Sequence, residues 1–183
     1  MSSSRFGRAV GCGVRFTALG FALGAAIGCA GRGGASVDRP VLGRLAPAMS
    51  LQDCAGRQHT LAELRGKFSV LTFVCGCPQC RRLIRAWSSL YGHRGDVFLV
   101  AVTGLSAADA GDLTKEEGID FPVLLDASRV VSKRWHSTSC PRCWVIDSVG
   151  RLRYGSPEGG SVLQIVSEVR RHVIVGRISH VDP

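Results

Sequence analysis

Residues 68–80 read FSVLTFVCGCPQC, and their order decides the fold. The first seven are mostly aromatic or β-branched and include no Gly, Pro or charge, the composition of a strand buried on both faces. Beyond them Leu83, Ile84, Trp87, Leu90 and Tyr91 recur at helical spacing, with Arg81, Arg82 and Arg85 between them, which predicts a helix over 78–91. The C-x-x-C of Cys77-Pro78-Gln79-Cys80 therefore sits where a strand becomes a helix. Pro78 suits the first helical position, where a missing N–H leaves no bond unmade. Cys77 then falls at the N-cap, where free backbone N–H groups and the positive end of the helix dipole favour a thiolate nucleophile. Cys80 continues the apolar stripe of Leu83, Ile84 and Trp87, so it is expected to be shielded beside the first sulfur. One exposed and one recessed sulfur is what dithiol–disulfide exchange requires, the first attacking and the second resolving the mixed disulfide. An inert disulfide or half of a zinc site is the plainer reading of a C-x-x-C, and the strand–helix setting favours redox chemistry over both.

Working outward, strands and helices alternate. A short strand is expected at 49–51, then a turn at Asp53-Cys54-Ala55-Gly56, and a helical turn at 61–64 closed by Arg65-Gly66-Lys67. Next come a strand at 97–102, a polar helix at 107–117 stopped by Gly118, a strand at 121–125 and a helix at 128–135. Strands at 144–146 and 152–154 are turned by Ser148-Val149-Gly150. A last helix at 161–175 carries Val162, Leu163, Ile165, Val166, Val169 and Val173 on one side. This order implies an α/β layer sandwich, a central mixed β-sheet flanked by helices.

The chain of 183 residues holds one domain with appendages. Hydrophobic residues at 45% and charged residues at 20% argue against disorder. Eight cysteines are many for a cytosolic enzyme and few for a disulfide-built miniprotein. The formal charge of +9 draws three positives from residues 1–28, where Arg5, Arg8 and Arg15 meet no acid; the other basic residues are scattered, and no nucleic-acid partner is indicated. Within that segment the uncharged run FTALGFALGAAI at 16–27 follows a basic start and ends in small residues, the pattern of an export signal. It is too short for a comfortable membrane span. AAIG before Cys29 resembles the lipobox of bacterial lipoproteins, with Ala26 where Leu is usual, so Cys29 is expected to be lipidated and to hold the protein in the cell envelope or periplasm, with ordinary signal cleavage or an uncleaved anchor as the alternatives. Cys12 lies inside the signal. Residues 29–46, rich in Gly and Arg with Pro40, read as a flexible tether, 47–176 as the domain and 177–183 as a tail.

The stretch from about Ala46 to Tyr154 resembles the redoxin branch of the thioredoxin-like superfamily, which includes envelope thiol–disulfide oxidoreductases and the alkyl hydroperoxide reductase/thiol-specific antioxidant proteins. The resemblance is carried by Leu51-x-Asp53-x-x-Gly56, Leu61-x-x-Leu64-Arg65-Gly66-Lys67, Phe73 ahead of Cys77-Pro78-x-Cys80, Phe121-Pro122-Val123-Leu124-x-Asp126 and Pro141-x-x-x-Val145-Ile146-Asp147-x-x-Gly150. It implies a thioredoxin-like three-layer sandwich and a thiol–disulfide oxidoreductase. It implies no organic cofactor and no metal; the partners are protein or small-molecule thiols and disulfides and an electron donor. Three departures stand out. The segment between Phe73 and Cys77 is one residue shorter than usual, with Gly76 where Trp commonly precedes the first cysteine. Cys75 adds a third thiol. Cys140 occupies the position before the expected cis-proline, where Thr or Val is frequent. By the resemblance Pro141 is that proline, packed against the active-site cysteines and offering its backbone to an extended substrate. Pro78, Cys140 and Pro141 are thus expected to support Cys77 and Cys80, with Cys75 and Cys143 as accessory thiols. The Cys140 sulfur is expected to approach the Cys77/Cys80 pair and Cys143 to point into or along the sheet.

Two other chemistries compete. Cys75, Cys77, Cys80, Cys140 and Cys143 are the ligand types of zinc or Cu(I), although C-x-C-x-x-C at a helix start does not easily aim every sulfur at one ion. A peroxidase of the peroxiredoxin type needs Pro-x-x-x-[Thr/Ser]-x-x-Cys; here Val74 stands at the hydroxyl position, 69–76 contains no proline, and Thr72 is off by two, although Arg142 or Arg153 can still contribute charge. Arg81, Arg82 and Arg85 read as a solvated face with a modest attraction for acidic partners or anionic lipid. His136 reads as a surface or capping residue and Cys54 as a bystander.

Overall fold

The computed structural model describes residues 39–92, Gly95 and 97–178. The expected signal, Cys12 and Cys29 lie outside the described residues, as do 179–183. At the centre β3 (Phe68–Val74) pairs in parallel with β4 (Val97–Thr103), from Phe68 opposite Val97 to Val74 opposite Thr103. A parallel pair needs a crossover, supplied by α1 (Pro78–Tyr91). Every residue of β3 is buried because both faces of the sheet are covered. β5 (Val123–Leu125) extends the parallel set beyond β4, and β1 (Ser50–Asp53) and β2 (Gln58–Thr60) finish that edge antiparallel. On the other side of β3, β6 (Arg142–Ile146) and β7 (Leu152–Gly155) add an antiparallel hairpin. The sheet runs β2-β1-β5-β4-β3-β6-β7 and is mixed, giving the thioredoxin-like α/β sandwich.

The alternation of β3 separates two cores. Val70 and Val74 face α1, α2 (Ala107–Glu117) and α4 (Val162–Ile178), where Leu83, Trp87, Leu113, Ile165 and Val169 are buried. Leu71 and Phe73 face α3 (Val130–Arg134) and the chain before β3, meeting Trp135, Trp144, Met49 and Leu64. Each such apolar side chain contributes about 1.5–3 kcal/mol on leaving water, enough to fix α1, and the cysteines at its start, against the sheet.

Several elements differ from the sequence reading. β5 begins at Val123 rather than 121 because Pro122 has no N–H to give, although its carbonyl still accepts from Ala101 at 3.0 Å. α3 begins at Val130 because Arg129 takes a left-handed φ of 54° and the Asp126 carboxylate accepts from the Val131 and Ser132 backbone N–H groups. The strand at Gln58–Thr60 was not anticipated; it is short, polar and held by pairing with β1. Leu163 leaves the apolar side expected of it and is 84% exposed, since it lies a full helical step from the Val162–Ile165–Val169–Val173 stripe. The end of the expected tether is not free chain. Leu45 bridges Arg151, the Gly43 and Ala46 N–H groups bond to the Leu152 and Gly150 carbonyls, and Ala46 is buried, so packing begins near Gly43 rather than at 47. No described helix is long and apolar enough to cross a membrane.

Candidate active site

Two chain segments meet at one end of β3. Its own continuation supplies Cys75, Gly76 and Cys77. Gly76 adopts a left-handed φ of 77°, a conformation side-chain-bearing residues resist, and this turns the chain from strand into helix within one residue. Cys77 takes the extended N-cap conformation with Pro78 at the first helical position, and the Arg81 N–H closes the first turn on the Cys77 carbonyl at 3.0 Å. Cys77 is half-buried, while Cys80 is fully buried beneath it on the helix stripe. The second segment is the approach to β6. Phe73 pairs with Arg142 and Thr72 with Cys143 in the antiparallel register. Continued by two residues, that register sets Cys75 against Cys140. The Cys140–Pro141 peptide is cis.

The sulfurs converge. The Cys75 and Cys80 Sγ atoms lie 3.7 Å apart, and the Cys75 backbone N–H donates to Cys80 Sγ at 3.4 Å. The Sγ atoms of Cys75, Cys80 and Cys140 all lie within 4.8 Å of one another. Cys77 stands outside that trio. The expected approach of Cys140 is thus centred on Cys75 and Cys80. Burial opposes ionisation of Cys75, but hydrogen bonds from the Cys140 thiol, the Cys77 backbone N–H and the Cys77 and Cys80 thiols outweigh it and hold this thiol below its ordinary value. Burial pushes Cys80 far up despite the Cys75 N–H. It also pushes Cys140 up to about 12, helped by the hydrogen bond and charge of Cys75. Among the three clustered thiols, Cys75, Cys80 and Cys140, the surroundings therefore favour ionisation of the exposed Cys75, a residue expected from the sequence to be accessory.

Beside the sulfurs opens a cavity of about 130 Å³ lined by Val74, Cys75, Leu105, Arg129, Thr138 and Cys140. Sequence reasoning singled out neither Leu105 nor Arg129. Arg129 reaches this place because its left-handed backbone aims the guanidinium across Gly104, where an added Cβ would meet its Nε at 3.1 Å. Arg81 is not a freely solvated charge. Its Nε donates to the Gly76 carbonyl at 3.0 Å, and its Nη1 donates to Glu116 and Glu117 at 2.7 and 2.8 Å, while Arg85 binds Glu117 at 2.6 Å. Two of the three arginines read as a solvated face thus tie α1 to α2 and brace the cysteine turn.

The other candidates lie away from the cluster. Cys143 is buried on β6 and shares a 3.3 Å hydrogen bond with Thr72, which in turn accepts from the Trp87 indole at 3.0 Å. Arg142 stacks over Trp144 at 5.2 Å and pairs with Glu158, and Arg153 faces Asp147 at 3.6 Å. His136 is exposed after α3 with φ 47°. Cys54 is exposed in the turn after β1, its thiol 3.9 Å from the Val123 carbonyl.

Comparison with known proteins gives this geometry a context. The model of the AhpC/TSA family matches residues 42–155. The thiol-disulfide oxidoreductase ResA of Bacillus subtilis is 30% identical over 111 residues, 58% of this chain and 62% of that protein, so the chain spans less than two thirds of this relative. A secreted disulfide oxidoreductase of Mycobacterium tuberculosis, homologous to the DsbE of Escherichia coli, superposes with a TM-score of 0.58 at 20% identity over 67% of this chain and 95% of its own. The peroxidoxin BcpB of Mycobacterium tuberculosis superposes with a TM-score of 0.66 at 15% identity over 74% and 97%. Both structures support the fold.

Proposed function

Because the chain belongs to the AhpC/TSA family, we propose that it is a thiol–disulfide oxidoreductase, with Cys77 the attacking and Cys80 the resolving thiol. The observation carrying this reading is the pairing of a half-buried Cys77 at the α1 N-cap with a fully buried Cys80 on the same helix, beside the cis Cys140–Pro141 loop. In the reducing direction the Cys77 thiolate attacks a substrate disulfide, forming a mixed disulfide and expelling one substrate thiolate. Cys80 then loses its proton and attacks the Cys77 sulfur, releasing the second substrate thiolate and leaving a Cys77–Cys80 disulfide. An electron donor returns that disulfide to two thiols; the same steps reversed oxidise a dithiol. The cavity beside Cys75 and Cys140 takes the substrate residue next to the reacting sulfur, and the Pro141 backbone aligns its chain. The named relative of Bacillus subtilis supports this assignment.

We place the protein outside the cytoplasm, held to the membrane through lipid on Cys29; the basic start, the apolar run at 16–27 and AAIG-Cys29 support this. A mature chain beginning at Cys29 in the membrane fraction is the expected result, and an intact Met1 on a soluble cytosolic protein overturns it.

The enzymatic test is reduction of insulin by purified protein. Cys77→Ser is expected to lower turnover at least 100-fold, and Cys80→Ser to accumulate mixed disulfides visible on non-reducing gels. Full turnover by Cys77→Ser together with its loss in Cys75→Ser would move the nucleophile to Cys75. Peroxide consumption is expected to lag behind insulin reduction under the same reductant, since Arg142 and Arg153 are engaged elsewhere and no hydroxyl stands at position 74.

A further inference from the structure

We propose that the reduced protein binds one Cu(I) ion through the Sγ atoms of Cys75, Cys80 and Cys140. The inference does not rest on the exchange chemistry and goes beyond it. Two thiolates bound to one ion at about 2.3 Å are separated by roughly 3.8–4.0 Å in tetrahedral or trigonal geometry. The Cys75 and Cys80 sulfurs are already 3.7 Å apart, and the third sulfur of the trio lies within 4.8 Å of both. Closing the site needs only sub-ångström shifts and side-chain rotation.

The donor set selects the ion. Among the described residues no fourth Cys, His, Asp or Glu joins the three within that distance. Structural zinc is almost always four-coordinate, whereas soft thiolates suit Cu(I), which is content with three. Cys75 is exposed and gives the ion a way in, while Cys80 is fully buried and keeps water from one side. Each ligating thiol releases its proton to solvent as its sulfur bonds the metal, leaving a site of net charge −2. Two features of the fold offset that charge: the positive end of α1, at whose start Cys80 sits, and Arg129, which lines the same cavity as Cys75 and Cys140. Cys77, the proposed nucleophile, is not a ligand. Cys80 serves both functions, so Cu(I) occupies the reduced protein only, and a Cys77–Cys80 disulfide excludes it.

The test is anaerobic titration of the fully reduced protein with Cu(I) in competition with bathocuproine disulfonate, folding of each variant being checked by near-UV circular dichroism. Wild type is expected to take up one Cu(I), with three Cu–S contacts at about 2.3 Å by X-ray absorption. Cys77→Ser and the remote Cys54→Ser should bind within about twofold of wild type. Cys75→Ser and Cys140→Ser should each bind at least tenfold more weakly, and Cys140→Thr serves if the serine variant does not fold. Absence of stoichiometric uptake, a two-sulfur site, or a loss in Cys77→Ser equal to or greater than that in Cys75→Ser or Cys140→Ser overturns the proposal. Since Cys77→Ser removes exchange and spares the metal site, the two functions fail separately.

Discussion

The Cys75 and Cys80 sulfurs stand 3.7 Å apart across the turn that Gly76 makes possible, and the Cys75 N–H donates to the same Cys80 sulfur. Cys80 is therefore served by two thiols, Cys77 on its own helix and Cys75 at the end of β3. A second partner for Cys80 is already in place before any substrate arrives. Oxidation of the Cys77→Ser protein with a mild oxidant such as oxidised glutathione is expected to give an intramolecular Cys75–Cys80 disulfide, found by peptide mapping under non-reducing conditions. Recovery of Cys75 and Cys80 as separate glutathione adducts would show that the short distance does not translate into a bond.

Thiol labelling reads the electrostatics of the cluster. Only the thiolate reacts, so a thiol held below its ordinary value is labelled at lower pH than one pushed above it. Cys75 and Cys54 are both exposed, yet Cys75 is lowered by its hydrogen bonds, whereas Cys54 is raised by partial desolvation of its thiol and by the neighbouring Asp53 carboxylate. At pH 7 iodoacetamide is expected to modify Cys75 well ahead of Cys54. Between pH 7 and 9 the Cys54 rate should climb close to tenfold per unit and the Cys75 rate less steeply. Cys140 and Cys143, each at about 12, should stay unmodified in the folded protein. Faster labelling of Cys54 than Cys75 at pH 7 would contradict the assignment.

Phe68–Val74 and Pro78–Tyr91 could be read to the residue because an apolar run with no breaker and a proline-started apolar stripe are strong local signals. The position of Cys80 followed from that stripe. Local signals say nothing of register, however, and register is what makes the site. The pairing of Phe73 with Arg142 carries Cys140 to Cys75, residues 65 apart in a chain that gives no hint of their alignment. Family resemblance located Cys140 near the helix but centred it on the Cys77/Cys80 pair. Arg81 and Arg129 were out of reach for the same reason: one needed the position of Glu116 and Glu117 on α2, the other a left-handed backbone that an arginine seldom adopts.

Acid stability tests the turn that the Asp53-x-x-Gly56 motif builds. Asp53 is buried and accepts from the Ala55 and Arg57 backbone N–H groups at 2.8 and 2.9 Å, from Arg57 Nε at 2.9 Å, and faces His59 Nε2 at 3.1 Å. Burial opposes its ionisation, but these bonds prevail and bring it down to about 2. A folded value below the unfolded one of about 3.9 means stability that is complete above pH 4 and drains away as pH falls toward 2. Asp53→Asn is expected to lose roughly 1–3 kcal/mol at pH 7 and to flatten the fall in stability between pH 4 and 2, measured by urea unfolding. An unchanged acid slope would mean that another carboxylate governs it.

Cys143 separates a core thiol from an active one. It pairs in register with Thr72, shares a 3.3 Å hydrogen bond with it, and completes a chain to the Trp87 indole, all within the core under α1 and α4. Burial pushes its thiol up to about 12, and its sulfur lies outside the Cys75, Cys80 and Cys140 trio, so it is placed neither to meet a substrate nor to join that cluster. Thr72→Val strands the buried Trp87 N–H and is expected to cost roughly 1–3 kcal/mol. Cys143→Ala removes one sulfur from a packed site and should cost about 1–2 kcal/mol. Both variants should still reduce insulin within about twofold of wild type at a temperature where they remain folded, because α1 keeps Cys80, Leu83 and Ile84 to anchor its first two turns. A tenfold drop in turnover for Cys143→Ala with unaltered denaturation would return Cys143 to the site, and would mean that Cys140 and Cys143, spaced C-x-x-C in Cys140-Pro141-Arg142-Cys143, act together in exchange through a rearrangement of β6.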